Sequence, residues 1–134
     1  TMLRLGNLKP VLSVVDDQRG GPTEARDIAD AILAIWRLSR EPGFRSWGVY
    51  NFAGDPPTTW YGFAREIFDR VGGPSPRMLP VRSAEFPTKA VRPLNSVLDC
   101  SKIRRVFGIR QPDWRRSLAR VLSGLDRYGL QDAR

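Results

Sequence analysis

The stretch Val11-Leu12-Ser13-Val14-Val15-Asp16-Asp17-Gln18-Arg19-Gly20-Gly21-Pro22-Thr23-Glu24 decides the fold class. Its first five residues form an apolar, β-branched run that predicts a strand. The Asp, Gly and Pro residues that follow are typical of a loop. Thr23 can then cap a helix, with Glu24 favourably placed in the first turn. A strand that leads through a loop into a helix indicates an α/β fold.

The same alternation of strand and helix continues along the chain. Apolar periodicity predicts strands at 47–52 and 78–81 and an extended loop at 83–95. Three further helices are expected, capped by Thr58 or Thr59, by Asp99 and by Asp113. The residues expected to face the core of the first and last helices are Ile28, Ala31, Ile32, Ile35, Trp36, Trp114, Leu118, Val121, Leu122 and Leu125.

The first residues and the small number of strands indicate that this chain is part of a larger protein. Residues 1–6 have the pattern of the last turns of an amphipathic helix, without a cap in front of them. Two or three strands are also few for an independent α/β sheet. We therefore expect one structural portion at 1–125, with a polar tail at 126–134, belonging to a larger α/β enzyme.

Composition limits the chemistry. The 134 residues fit one compact domain, and they include one cysteine and no histidine. An internal disulfide and a zinc site of the usual nitrogen and sulfur ligands are thereby excluded. No apolar run has the length of a membrane span and no signal peptide is visible, so a cytoplasmic protein without a membrane partner is expected.

The net charge of +8 favours an anionic partner. Nucleic acid, a membrane surface and a phosphorylated small molecule all fit that charge, as does a merely solvated basic surface. The aromatic residues share the apolar stripes while the arginines occupy the opposite faces. That separation favours a core over a nucleic-acid surface, because nucleic-acid proteins place both residue types on one face.

Five segments, in this order, carry a resemblance to a known family: 14–23 with 27–29, 48–54, 59–64, 92–102, and 107–109 with 112–114. Among them are Val14-Val15-Asp16-Asp17-Gln18-Arg19-Gly20-Gly21-Pro22-Thr23 and Arg92-Pro93-Leu94-Asn95-Ser96-Val97-Leu98-Asp99-Cys100-Ser101-Lys102. Together they resemble the dTDP-4-dehydrorhamnose reductases, which belong to the extended short-chain dehydrogenase/reductase group.

The resemblance implies the C-terminal, substrate-binding portion of a partial NAD(P)-binding Rossmann-like fold, with few strands and about four helices. Members reduce dTDP-4-dehydrorhamnose to dTDP-L-rhamnose with NADPH or NADH, which their N-terminal Rossmann part holds. The implied partners are therefore a dTDP-sugar and that N-terminal part. A homodimer, held with help from Mg²⁺, is also implied, although no carboxylate pair here identifies a metal site.

Two departures from the family pattern predict that this chain alone is inactive. No strand is followed by the family's glycine-rich phosphate turn, so no cofactor-binding residue is assigned. The catalytic Tyr-x-x-x-Lys pair is also absent, since Gly54, Arg65 and Asp132 stand four residues after the three tyrosines. No catalytic and no metal-binding residue is therefore expected. In addition, Val91 stands where many members have a second arginine.

Five residues are candidates for substrate binding. Arg92 precedes a proline that favours an extended backbone, and its planar guanidinium matches a diphosphate; otherwise it is an exposed loop arginine. Asn95 and Ser96 can contact the ligand or hold their own turn. Gln18 follows a strand, the usual position for ligand contacts in open α/β sheets. Trp60 can line a pocket or join the core. The alternative function is a small basic nucleic-acid-binding module.

Overall fold

Five α-helices and four short strands make up the part of the chain that the structure describes. The computed structural model describes residues 2–86, 88 and 90–127. In chain order the elements are α1 (Met2–Leu8), β1 (Val11–Val15), β2 (Arg19–Gly20), α2 (Ala25–Ser39), β3 (Thr58–Thr59), α3 (Trp60–Val71), β4 (Arg77–Val81), a 3-10 turn (Ser83–Glu85), α4 (Ser101–Phe107) and α5 (Trp114–Arg127).

Two strand pairs connect distant parts of the sequence. β1 and β4 are parallel, and β2 and β3 are antiparallel. Because side chains alternate along a strand, Leu12 and Val14 lie on one face of β1, where they are buried against Ala64 of α3. The strands predicted at 11–15 and 78–81 and the α/β class are confirmed.

Local signals explain where three helices begin or end. The Thr59 hydroxyl accepts a hydrogen bond from the Gly62 N–H at 3.0 Å, which caps α3. The Asp113 carboxylate accepts one from the Arg115 N–H at 2.9 Å, at the start of α5. Gly108 ends α4 with a φ of 68°, a conformation that favours glycine.

The core lies where α3 and α5 meet and beneath the start of α4. The first cluster contains Ile67 of α3 with Trp114, Leu118 and Leu122 of α5. Trp114 is buried as predicted, and its indole N–H donates to the Pro56 carbonyl at 2.7 Å. A separate cluster beside α4 contains Ala53, Cys100 and Ile103.

The prediction of a strand at 47–52 is wrong. No strand of the described residues pairs with this segment, and a strand exists only with a partner to complete its ladder. Its polar groups instead meet Lys102 of α4 and Asp99, which lies two residues before that helix. The Lys102 ammonium donates to the Val49 carbonyl at 2.8 Å, and the Asn51 amide donates to the Asp99 carbonyl at 3.2 Å.

The predicted inner face of α2 is largely uncovered. Of its expected core residues only Ala31 is buried, while Ile28, Ile32 and Trp36 are exposed. The expectation that Trp36 belongs to the core is therefore wrong: its side chain is 56% exposed, with the Arg40 guanidinium over its ring. The periodicity identified an apolar stripe correctly but could not show what covers it.

Of the polar tail predicted at 126–134, the structure describes only the first two residues, which belong to α5. Helix α5 continues through Arg127, and residues 128–134 lie outside the described residues. Among the described residues, no helix combines the length and the apolar character needed to cross a membrane.

Candidate functional site

A cavity of about 480 Å³ opens where the ends of several elements converge. One wall is the loop and short strand that follow β1, and another is formed by β3 and the start of α3. The segment before α4 and residues 52–53 complete it. The lining residues are Gln18, Arg19, Gly20, Gly21, Pro22, Thr23, Phe52, Ala53, Thr58, Thr59, Trp60, Phe63, Arg92, Pro93, Ser96 and Leu98.

Arg19 fastens two of these walls together. Its N–H donates to the Leu94 carbonyl at 2.8 Å. Its carbonyl accepts hydrogen bonds from both the N–H and the hydroxyl of Ser96, each at 2.9 Å. β2 also pairs with β3, with Arg19 opposite Thr59. The segment that carries Arg92 is therefore held against the loop that carries Gln18.

Trp60 is placed by the cap of α3. Thr59, which caps the helix, also donates a hydrogen bond from its hydroxyl to the Asp16 carboxylate at 2.6 Å. The first residue of α3 is thus fixed beside the loop after β1. Trp60 is 54% exposed and lines the cavity, so it belongs to the pocket wall and not to the core.

Glycine permits a close crossing of two loops behind the cavity. A Cβ on Gly21 would lie 2.3 Å from the Gly54 carbonyl oxygen, which is closer than the van der Waals radii of the two atoms allow. Thr23 joins the same loops, since its hydroxyl donates to the Gly21 carbonyl and accepts from the Gly54 N–H. The prediction that Thr23 caps α2 is therefore wrong: the cap position is Glu24, and the Thr23 hydroxyl is used between the loops.

All the charged residues that line the cavity are positive. Arg19 and Arg92 are its charged lining residues, and no Asp or Glu side chain lines it. Neither arginine forms an ion pair with a described residue. With three aromatic residues in the same walls, the site can bind a ligand that combines an anionic group with a flat or apolar group.

The structure brings together four of the five predicted site residues. Gln18, Trp60, Arg92 and Ser96 line the cavity, and Asn95 does not. The Asn95 side chain accepts a hydrogen bond from the Val97 N–H at 3.1 Å, so it holds its own turn. Asn95 is therefore not part of the cavity lining, and its expected contact with the substrate stays a prediction.

Sequence reasoning missed Arg19, Phe52 and Phe63 as lining residues. Arg19 could have been found from its position beside Gln18 in the same loop. Phe63 could have been found from its place one helical turn after Trp60. Phe52 gave no such signal, because it lies in the segment predicted as a strand.

Asp99 and Cys100 follow the cavity-lining residue Leu98 in the chain, and neither side chain is activated for catalysis. Burial raises the pKa of the Cys100 thiol, which donates weakly to the Leu98 carbonyl. The backbone N–H of Ser101, and then its hydroxyl, lower the pKa of Asp99 by hydrogen bonding to the carboxylate. A protonated thiol and an engaged carboxylate favour structural roles over catalysis.

The start of α2 does not fit the pyrophosphate of a dinucleotide cofactor. A Rossmann unit binds that pyrophosphate at the free N-terminus of the helix after its first strand. Glu24 and Asp27 lie at that end of α2, and both carboxylates bind Arg120. Negative side chains there oppose a second anion. No group of three or more acidic or cysteine residues in the described ranges could hold a metal ion.

The fold and the cavity define a class: an α/β substrate-binding portion with a cationic, aromatic pocket at the ends of its strands. The sequence model of the RmlD substrate binding domain family matches residues 1–127. The chain belongs to this family.

Relatives at the sequence level are dTDP-4-dehydrorhamnose reductases. The protein of that name from Aggregatibacter actinomycetemcomitans is 40% identical over 126 residues, covering 90% of this chain and 43% of the relative. The one from Sinorhizobium fredii is 38% identical over 130 residues, covering 92% of this chain and 43% of the relative. The chain thus spans about two fifths of the length of these relatives.

Solved structures agree with this assignment. The crystal structure of a dTDP-4-dehydrorhamnose reductase from Clostridium acetobutylicum matches with a TM-score of 0.83 and 31% identity, over 93% of this chain and 42% of that one. The reductase from Bacillus anthracis, solved in complex with NADP, matches with a TM-score of 0.77 and 32% identity, over 89% and 40%. The predicted family and partial fold are confirmed.

Proposed function

We propose that this chain is the sugar-nucleotide-binding portion of a reductase that converts dTDP-4-dehydrorhamnose to dTDP-L-rhamnose. The observation that carries the proposal is the cavity at the strand ends, where Arg19 and Arg92 face no acidic residue and Trp60 offers an aromatic surface. A diphosphate needs the cations, and a nucleoside base or sugar ring suits the aromatic wall. Family membership supports this choice of ligand.

In this proposal the portion comprises residues 1–125, and Gln18, Trp60, Arg92 and Ser96 contact the dTDP-sugar. NADPH or NADH supplies the hydride and is bound by residues other than those described. Holding the nucleotide away from the reacting carbon still supports catalysis, because remote binding energy positions the substrate. The cytoplasm, which keeps thiols reduced, suits a protein whose single cysteine, Cys100, is a free thiol.

A chimera tests the proposal. This chain replaces the matching segment of the Aggregatibacter actinomycetemcomitans reductase, and NADPH oxidation is followed with dTDP-4-dehydrorhamnose as substrate. We expect turnover, and we expect Trp60→Ala to raise KM more than kcat falls, since Trp60 contacts the nucleotide and not the reacting carbon. A folded chimera that binds NADPH but neither binds dTDP nor turns over would contradict the proposal.

The alternative function, nucleic-acid binding, is tested with the same chimera by titrating a single-stranded oligonucleotide. Three basic side chains of the described residues form ion pairs, namely those of Arg70, Arg116 and Arg120. No observation favours this alternative. The homodimer and the Mg²⁺ ion that the resemblance implies stay predictions.

A further inference from the structure

The cavity has a second cation besides Arg92. Arg92 lies in the segment before α4, whereas Arg19 lies in β2 on the neighbouring wall. The two residues come from parts of the chain more than seventy positions apart. Hydrogen bonds between Arg19 and the residues Leu94 and Ser96 hold these parts together.

The charge of the ligand explains why a second cation matters. A diphosphate carries at least two negative charges, spread over two phosphate groups. Arg92 supplies one positive charge, so a second guanidinium from the neighbouring wall brings the charge of the site closer to that of the ligand.

We infer that Arg19 supplies the second cation of the diphosphate site, from a different wall of the cavity than Arg92. This inference rests on the proposed function and names the residue pair, Arg19 and Arg92, that recognises the nucleoside diphosphate. The ligand's two phosphates are then bound from two segments, and not from one loop.

The backbone of Arg19 suits this role. Both its N–H and its carbonyl are hydrogen-bonded, and it is paired with Thr59 in the β2–β3 ladder. A fixed backbone leaves only the side chain to be ordered when the ligand binds, which lowers the entropic cost. The absence of an acidic residue in the cavity lining means that no carboxylate there competes for either guanidinium.

The test is calorimetric titration of the 134-residue chain with dTDP and with thymidine, which lacks the phosphates. Arg19→Gln keeps a polar side chain and removes the charge. We expect it to weaken dTDP binding roughly tenfold or more, the scale of a charged hydrogen bond, and to leave thymidine binding unchanged. Arg26→Ala, on the exposed surface of α2, is the matched loss of one positive charge and should leave both ligands unaffected.

A second variant separates the charge of Arg19 from its shape. Arg19→Lys returns the positive charge without the planar fork, so it should recover part of the dTDP affinity lost in Arg19→Gln. An Arg19→Lys variant that binds dTDP no better than Arg19→Gln would overturn the inference. So would an Arg19→Gln variant whose dTDP affinity stays within about twofold of the wild type.

The outcomes separate this inference from the proposed function. If Arg92→Ala weakens dTDP binding and Arg19→Gln does not, only the role of Arg19 is overturned. If the wild-type chain binds no dTDP while circular dichroism shows it folded, the proposed function is overturned and the inference falls with it. Equal weakening of dTDP and thymidine by Arg19→Gln would show that Arg19 only supports the fold, which also overturns the inference.

Discussion

Arg92 is the residue on which the sugar-nucleotide site most depends. It lines the cavity, is exposed, and forms no ion pair with a described residue. Its position before Pro93 favours an extended backbone, so little backbone entropy is lost on binding. Its planar fork can donate two parallel hydrogen bonds to one phosphate.

We predict that Arg92→Ala weakens dTDP binding by about 1.5–3 kcal/mol, the scale of a charged hydrogen bond. Arg92→Lys should recover only part of that loss, because it returns the charge without the fork. Arg116→Ala is the control, since its side chain is 87% exposed on α5 and away from the cavity lining. Calorimetric titration of all variants with dTDP at one ionic strength measures these differences. Equal dTDP affinities of the wild type and Arg92→Ala would show that another residue binds the diphosphate.

Cys100 gives a prediction about pH. Burial raises the pKa of its thiol, so the folded state favours the protonated form more strongly than the unfolded state does. The stabilisation is therefore complete below the unfolded pKa of about 8.5 and is lost as the pH rises through the higher folded value.

We expect the wild-type free energy of unfolding to fall more between neutral pH and the alkaline range than that of Cys100→Ala. The difference between the two proteins isolates the thiol from every other group that titrates there. Urea unfolding at several pH values measures it. Parallel curves for the two proteins would show that the thiol does not contribute.

At the scale of elements, a polar network holds α2 against α5. The buried Ser117 hydroxyl donates to the Asp27 carboxylate at 2.5 Å, and Arg120 binds both Asp27 and Glu24. Glu24 and Asp27 lie at the start of α2, where they are also favoured by the helix dipole. The network thus fixes the helix that follows the binding loop.

We predict that Ser117→Ala lowers the free energy of unfolding by about 1–2 kcal/mol, because it removes a buried hydrogen-bond partner of a carboxylate. Ser123→Ala is the matched control on the same helix: Ser123 is exposed and its hydroxyl donates only to the Ala119 carbonyl, four residues earlier. It should change stability by less than about 0.5 kcal/mol. Equal effects of the two substitutions in thermal or urea unfolding would contradict the role of the network.

The elements also show what the sequence could predict. Helix α3 was predictable because its cap, Thr59, and its end, Gly72, are local signals. The strand predicted at 47–52 does not form among the described residues, because strand pairing depends on a neighbour that periodicity does not reveal. β2 and β3 are two residues each, too short to give a periodic pattern.

The residues of the site also divide into those that local signals predict and those that depend on contacts between remote segments. Gln18, Trp60, Arg92 and Ser96 were predicted as binding residues from strand ends, turns and the family segment, and they do line one cavity. Arg19 was missed because its place depends on a ladder between segments remote in sequence. Asn95 had two predicted roles: the structure shows the hydrogen bond within its own turn, and its contact with the substrate stays a prediction.

For the whole molecule, we predict that the 134-residue chain does not oxidise NADPH in the presence of dTDP-4-dehydrorhamnose. The family's Tyr-x-x-x-Lys pair is absent from the sequence, and the carboxylates of Glu24 and Asp27 lie at the start of α2, where a Rossmann unit would bind the cofactor's pyrophosphate. An absorbance assay checks this. The chimera with the relative is its positive control, and turnover by the chain alone above background would contradict the prediction.

The uncovered face of α2 gives the other whole-molecule prediction. Ile28, Ile32 and Trp36 are between 41% and 60% exposed, although their spacing places them on one side of the helix. Nearby in the sequence, Trp47 is 74% exposed. Adjacent exposed apolar residues of this size are unfavourable in water and mark a surface that associates with another.

We therefore expect the chain to self-associate and to bind a hydrophobic dye, with association increasing with protein concentration. Ile32→Glu should shift sedimentation toward the monomer, because it places a charge inside the apolar face. Arg37→Gln is the matched control: it also lowers the net charge by one, but it lies off that stripe on the polar side of the helix. If only charge repulsion governed association, both variants would shift it equally. A wild-type chain that sediments as a monomer at every concentration and binds no dye would show that the exposed side chains of α2 are too few to drive association.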